Sequence, residues 1–344
     1  MADTGNNNRI NFINKIWIII GITALAFIII WILQKTFNVL LLVLAGALIA
    51  IFFRGLAGLL NRKLKIPSTL SLIISIAGTI LLLSGFFWFT GNSVQNQISE
   101  LRETIPEAFE TFKQKFGQTP IGKEIVDKIT SEDTKKELYN VAEIFFRSSF
   151  GFVGDIYIVL ILGLFFTASP KLYIDGFLKL IPSGGKKEAE AVINKVAVTL
   201  AKWLKGQLFA MLIVMIMTAV GLLIIGVPMA LALALIAGIL TFIPNFGPLI
   251  AMVLAALVGF MVDTTTGLIV IGLYIAVQII ESNFITPQIQ KKLINIPPAL
   301  IILAQLLMGV LTGGWGLLLA MPLIAMLIVI VNETYVKKQE NKLS

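Results

Sequence analysis

One apolar stretch constrains this chain more than any other feature. Between Gln207 and Val331 the only charged side chains are Asp263, Glu281, Lys291 and Lys292. A segment that crosses lipid needs about 20 mostly apolar residues, so this stretch is long enough for several crossings. The whole chain is 57% apolar and 13% charged, whereas a soluble domain is about 25% charged. The sequence therefore predicts an all-α polytopic membrane protein whose main partner is the lipid bilayer.

Cysteine and histidine are both absent from the chain. Their absence excludes disulfides, thiolate and HExxH metal sites, Cys and Ser–His nucleophiles and histidine proton relays. No phosphate-binding P-loop occurs, so we expect no ATP hydrolysis. The net charge of +8 lies in the loops, where it marks membrane topology and not a nucleic-acid partner. We therefore expect a protein that is not an enzyme and that binds no metal or cofactor.

Apolar runs predict four membrane helices before the long stretch and a fifth at its beginning, and a tight turn at Lys35 is expected between the first two. The runs are Ile16–Leu33, Phe37–Phe53, Thr69–Thr90, Phe150–Ala168 and Gln207–Val227. Lys and Arg accumulate in short cytoplasmic loops. Basic residues dominate residues 54–65, residues 169–205 and the tail, which predicts that both termini are cytoplasmic.

Two amphipathic stretches stand apart from the spans. Residues 91–147 carry mixed charges and an apolar stripe at helical spacing, in which Pro106 is expected to kink or restart the helix. They predict an extracytoplasmic helical cap, either simply packed or acting as a gate or capture surface. The apolar face from Ala189 to Leu204 is flanked by lysines. It predicts a helix in the cytoplasmic interface, either a fixed strap or a helix that moves during transport.

These segments divide the chain into five parts. They are an N-terminal three-helix membrane region at 1–90, the outer cap at 91–147, a fourth membrane helix with a basic linker at 148–205, a transport core at 206–331 and a cytoplasmic tail at 332–344.

Two stretches of the core are each too long for one membrane helix and contain residues that break helices. The first, Pro228–Val262, would be about 52 Å long as a single helix, and prolines flank its centre. The second, Pro298–Val331, is interrupted by glycines. The break residues are Pro244, Asn245, Phe246, Gly247 and Pro248 in the first stretch, and Gly313, Gly314, Trp315 and Gly316 in the second.

The two stretches also form an internal repeat. Residues 227–256 and 296–325 share nine identities in thirty aligned positions, at a constant shift of 69. If each stretch is a re-entrant hairpin, the helix between them inverts the second copy, and Lys291 and Lys292 fall inside as the charge rule prefers. If each crosses once, the copies are parallel. Inverted repeats with broken helices are a recurring plan of secondary transporters, which predicts a cavity between the two breaks.

Polar side chains within the spans are the candidate site residues. Gln278, Glu281 and Ser282 share one helix face, followed by Asn283. Burial would favour the protonated form of the Glu281 carboxyl and let it carry a proton; the alternative is a structural Glu near the end of the span. Asp155 near the outer end of the fourth span is read as a helix-entry residue or a partner of Arg147. Asn245, Gln305 and Gln207 are candidate ligands for a polar solute.

The order of the core motifs resembles the AI-2E family, the autoinducer-2 exporter-like or PerM-type permeases, over nearly the whole chain. The motifs are Gly206-Gln207, Gly226-Val227-Pro228, Ile243 to Pro248, Gln278…Glu281…Pro287, Ile296-Pro297 and Gly313-Gly314-Trp315-Gly316…Pro322. The resemblance implies about eight membrane segments and a homo-oligomer, a pentamer as the expected number, in the bacterial cytoplasmic membrane. It also implies export of autoinducer-2, or exchange of sodium or lithium for protons.

We therefore expect a proton-coupled secondary transporter that exports a small solute similar to autoinducer-2. One alternative is a sodium (lithium)/proton antiporter. Another is a non-transporting scaffold, although broken helices forgo backbone hydrogen bonds that a scaffold has no reason to lose. An intramembrane protease is excluded because the chain has no second deep Asp for a paired-carboxylate mechanism.

Overall fold

A computed structural model describes residues 4–116, 154–285 and 297–343. Within these ranges the chain forms helices and turns and no β-strand, which confirms the all-α prediction. The helices are α1 Thr4–Leu64, α2 Ser68–Phe116, α3 Gly154–Ala168, α4 Pro170–Lys179, α5 Lys186–Ile225, α6 Ala230–Leu240, α7 Phe246–Val262, α8 Thr264–Ile280, α9 Pro298–Thr312, α10 Gly314–Val331 and α11 Lys337–Leu343. Two π-helical turns, Glu281–Ile285 and Asn332–Val336, follow α8 and α10.

Five helical segments among the described residues are long and apolar enough to cross a membrane. They are Thr36–Leu64, Ser68–Gly85, Ser183–Ile225, Thr264–Phe284 and Gly314–Glu340. The pair α3 and α4, bent by 89° at its break, gives a sixth if it is counted as one span. The protein is therefore a multi-pass membrane protein by the length and composition of its helices.

The first helix is longer than the sequence predicts. It runs for 61 residues through Lys35, so the turn expected there is wrong, and residues 4–90 are traced by two helices. The physical reason is local: the polar residues Gln34, Lys35 and Thr36 include no Gly or Pro, and Gln and Lys are good helix formers. A change from apolar to polar residues does not end a helix unless something replaces its backbone hydrogen bonds.

The second helix joins the third predicted span to the start of the predicted cap. It continues without interruption through Pro106, so the expected restart does not occur there. The cap stripe packs inward at Val94 and Leu101, which are 5% and 4% exposed. Residues 117–147, the rest of the predicted cap, lie outside the described residues.

The lysine-flanked apolar face from Ala189 to Leu204 does not lie on a membrane surface. It belongs to α5, which continues directly into the fifth span. Leu200, Trp203 and Leu204 are buried in a cluster that also contains Leu41 of α1 and Leu319 of α10. The predicted interfacial strap is therefore wrong, because protein covers the apolar face that the sequence assigned to lipid.

The segments that the charge rule groups together meet at one end of the protein. Arg54 of α1 donates from Nε and Nη2 to the carbonyl oxygens of Thr167 and Ala168 at the end of α3, over 2.9 and 3.3 Å. At the same end, two ion pairs join the tail to α5, Lys195–Glu333 and Lys338–Glu188, and Lys337–Glu333 is a third pair within the tail. We call this the basic end.

Candidate functional site

The first break separates α6 from α7 at residues 241–245. It overlaps the predicted break residues at Pro244 and Asn245, whereas Phe246, Gly247 and Pro248 form the first turn of α7. Pro244 has no N–H to continue the helix, and the N–H of Phe246 donates to its carbonyl oxygen over 2.8 Å. Asn245 between them has φ 67° and ψ −52°, the geometry of a γ-turn that is rare and strained. Non-glycine residues in such conformations cost about 1–3 kcal/mol and concentrate at functional sites.

Glycines make both breaks compact. A Cβ built on Gly247 would overlap the carbonyl oxygen of Leu240, and one built on Gly316 would overlap that of Met308. Gly247 and Gly316 are equivalent positions in the two copies of the repeat, which are 69 residues apart. The repeat thus preserves the residue that lets the chain return closely on itself after each break.

Two glutamines from other parts of the chain hold the first break. Gln305 of α9 is 0% exposed, and its Nε2 donates to the Pro244 carbonyl oxygen over 2.8 Å. Its Oε1 lies 3.4 Å from Asn245 Nδ2. Gln207 of α5 donates from Nε2 to the Thr241 carbonyl oxygen over 2.6 Å. The structure therefore brings together Asn245, Gln305 and Gln207, three of the predicted site residues.

The second break has a different partner. Gly313 joins α9 to α10 at φ 65° and ψ −137°, and the Nε1–H of Trp315 donates to Asp155 Oδ2 over 2.7 Å. Asp155 on α3 is thus a partner of this break, while Arg147 lies outside the described residues. Gln305 precedes Thr312 by about 10 Å along α9. The contacts described for the first break go to the middle of α9, and a cavity between the two breaks stays a prediction.

The predicted polar face at the end of α8 forms a local hydrogen-bonded cluster. Gln278 Nε2 donates to Glu281 Oε2 over 3.0 Å and to Ser282 Oγ over 3.1 Å. Asn283 instead donates to the Ile279 carbonyl oxygen over 2.8 Å. Glu281 is half-buried and begins the π-helical turn, a distortion that is frequent at functional sites.

Sequence reasoning missed two contacts that position the first broken stretch. The backbone N–H of Ala232 at the start of α6 donates to Gln97 Oε1 of α2 over 3.0 Å. The rings of Trp203 and Phe242 meet edge to face with centroids 5.7 Å apart. Trp203 was identifiable from its place on the apolar face of α5, whereas nothing local distinguishes Gln97.

Asp263 lies between α7 and α8. It caps the N-terminus of α8 by accepting from the backbone N–H and the hydroxyl of Thr266, over 2.8 and 2.6 Å. Asx side chains commonly satisfy the first free N–H groups of a helix in this way. The connection between α7 and α8 is therefore a single residue.

Comparison of the sequence with known proteins identifies its family. A family model described as "AI-2E family transporter" matches residues 19–336. The chain is similar to "Putative transport protein YrrI" and "Putative transport protein YueF" of Bacillus subtilis (strain 168), each 32% identical over 148 residues. These matches cover 43% of the chain and 42% and 40% of the two relatives, so they span less than half of each protein. "Putative transport protein MT0215" of Mycobacterium tuberculosis (strain CDC 1551 / Oshkosh) is 38% identical over 106 residues, or 30% of the chain and 29% of that relative.

Proposed function

This chain belongs to the AI-2E family of transporters, and from that membership we propose that it is a secondary-active transporter of a small polar solute in the bacterial cytoplasmic membrane. The observation that carries this proposal is the contact of buried Gln305 with the strained first break. Irregular backbone at membrane depth is tolerated only where protein buries it or where it lines a water-filled cavity. Gln305 buries one side of the break, and Asn245 is exposed on the other.

The groups at the first break suit an uncharged polar solute. Asn245, Gln305 and Gln207 offer amide donors and acceptors with no formal charge. An autoinducer-2-like molecule presents hydroxyl and carbonyl groups that such amides recognise. We propose its export as the physiological direction, with Asn245 as the first contact and with Phe246 and Pro248 lining the pathway beside it.

The topology we propose has about eight membrane segments, with two re-entrant hairpins in inverted orientation and an extracytoplasmic cap. The basic end supports it, because Arg54 binds the end of α3 there and Lys195 of α5 pairs with Glu333 of the tail, and basic ends face the cytoplasm. The lengths of α6 and α7, at 11 and 17 residues, support a hairpin in the first stretch since neither reaches about 20 residues. In the second stretch α9 is also short, at 15 residues, while the segment Gly314–Glu340 is long enough to cross. Assembly as a homo-oligomer belongs to the same proposal.

We propose that Glu281 is the residue that couples solute transport to protons. Its carboxylate accepts from Gln278 within a π-helical turn, where a change of protonation would alter the local hydrogen bonds. The alternative is a sodium (lithium)/proton antiporter that uses the same carboxylate. In that case Ser282 and Asn283, beside Glu281, supply neutral oxygen ligands for the cation.

The test is flux in proteoliposomes under an imposed pH gradient, with autoinducer-2 and sodium as separate probes. Glu281→Gln is compared with Glu340→Gln, the same chemical change at an exposed tail residue. We expect gradient-driven movement of autoinducer-2 that falls at least tenfold in Glu281→Gln and is unchanged in Glu340→Gln. Sodium-dependent proton flux without solute movement would make the antiporter the correct function, and no flux of either probe would contradict both.

A further inference from the structure

The short helix α4 turns sharply away from the span that precedes it. Its axis makes an angle of 89° with α3. Pro170 begins α4 after Ser169, and Arg54 satisfies the last carbonyl oxygens of α3, which helix termini otherwise leave without partners. Because α3 is the fourth predicted membrane helix, a helix perpendicular to it runs parallel to the membrane surface.

The side chains of α4 fall into three arcs around its axis, at 100° per residue. Pro170, Ile174 and Leu178 are half-buried against the protein. Lys171, Asp175 and Lys179 form an exposed charged arc. The remaining arc is apolar and exposed: Leu172 at 69%, Tyr173 at 41%, Phe177 at 54% and Leu180 at 82%. No residue of α4 is fully buried.

The apolar arc faces back toward α3. The ring of Tyr173, in the middle of that arc, meets the ring of Phe166 edge to face, with centroids 4.7 Å apart. Phe166 lies on α3 before the bend, on the membrane side of α4. Tyr173, Phe177 and Leu180 lie about 140–160° around the axis from Asp175, opposite the charged arc, while Leu172 lies at the border of that arc. This is the arrangement of an amphipathic helix in a bilayer interface.

We propose that α4 is an interfacial anchor that inserts Leu172, Tyr173 and Leu180 into the phospholipid surface at the basic end. Lys171 and Lys179 then lie at the level of the headgroup phosphates, where their long stems reach the charged layer. The anchor fixes the depth of α3, and through Arg54 also that of α1. The proposal concerns a different segment from the lysine-flanked face of α5, which protein covers.

The natural absence of cysteine allows a direct test on the full chain in vesicles of phosphatidylcholine and phosphatidylglycerol. Spin labels are placed at Phe177→Cys and Leu180→Cys on the apolar arc and at Asp175→Cys on the charged arc. Leu164→Cys within α3 and Gln339→Cys on the tail provide the lipid and water references. Accessibility to oxygen and to a water-soluble nickel complex is measured by electron paramagnetic resonance.

We expect the ratio of oxygen to nickel accessibility to be several-fold higher at 177 and 180 than at 175, and to fall between the values at 164 and 339. If all three α4 labels match 339, the helix lies in water and the proposal is wrong. If all three match 164, α4 is part of a broken span and the proposal is equally wrong. Thermal unfolding of each labelled protein checks that the exposed substitutions leave the fold intact.

Discussion

Gln305 and Pro244 are 61 positions apart in the chain, and the side-chain amide of the first donates to the carbonyl oxygen of the second over 2.8 Å. Proline ends the helical hydrogen bonding locally, and its carbonyl oxygen needs a partner where water is scarce. Gln305 meets that need from the other half of the repeat while remaining fully buried. One side chain therefore links the two broken stretches.

Replacing Gln305 with Leu removes this link with little change of volume. The Pro244 carbonyl oxygen loses a partner, so we expect a loss of about 1–2 kcal/mol in unfolding free energy and a larger loss of flux. Thermal unfolding in detergent measures the first effect and proteoliposome flux the second. Gln339→Leu on the exposed tail is the matched control and should change neither; equal effects of both substitutions would contradict the assigned role.

Asn245 allows backbone strain to be separated from side-chain function. Asn245→Gly relieves the positive φ, whereas Asn245→Ala keeps the strain, and both remove the amide. We expect the Gly variant to be more stable than the Ala variant by about 1 kcal/mol, with flux reduced in both. Unfolding of the two proteins in parallel measures the difference, and a more stable Ala variant would show that the γ-turn is not strained.

The glycines after the breaks should tolerate no side chain. Gly247→Ala and Gly316→Ala each place a methyl group onto a backbone carbonyl, and we expect a loss of about 1–3 kcal/mol from overpacking. Gly272→Ala within α8 is the control, because a Cβ there meets no atom within 4 Å. It should stabilise its helix by about 0.5–1 kcal/mol. Thermal unfolding of the three variants measures these changes in stability. Equal stability of all three variants would contradict the close contact of Gly247 and Gly316 with the backbone carbonyl groups of Leu240 and Met308.

Re-entrant hairpins require the two ends of each broken stretch to share a side of the membrane. Cysteines at Pro228 and Thr265, both exposed, should react with an impermeant maleimide from one side. Cysteines at Pro297 and Gln339 should react from the other. Labelling of 228 and 265 from opposite sides of intact vesicles would show that the first stretch crosses once and would refute the inverted arrangement.

The breaks in the core were predictable because their causes are local. Pro244 lacks an N–H donor, and Gly313 lacks the Cβ that disfavours the positive φ it adopts. The missing N–H and the missing Cβ can both be read from the residue type alone. The shared face of Gln278, Glu281 and Ser282 was predictable for the same reason, since helical spacing determines it. These features require no knowledge of the rest of the fold.

The missed features depend on what covers a helix. Leu200 and Trp203 lie on an apolar face that fits lipid and protein equally well, and the sequence does not say which it meets. The contacts of Gln97 with Ala232 and of Asp155 with Trp315 join residues 135 and 160 positions apart. Such pairs follow from the packing of whole helices, which a local pattern does not specify.

The measurement that tests the transport pathway most directly is chemical block of flux at Asn245. The cysteine-free chain carrying Asn245→Cys is reconstituted, and flux of autoinducer-2 is recorded before and after treatment with a charged methanethiosulfonate reagent. Thr265→Cys, exposed at the start of α8, is treated in the same way. Because Asn245→Cys also removes the amide, its flux before treatment is reduced. We expect the reagent to abolish that remaining flux and to leave the Thr265→Cys protein active. Complete modification of residue 245 with unchanged flux would show that the solute does not pass the first break.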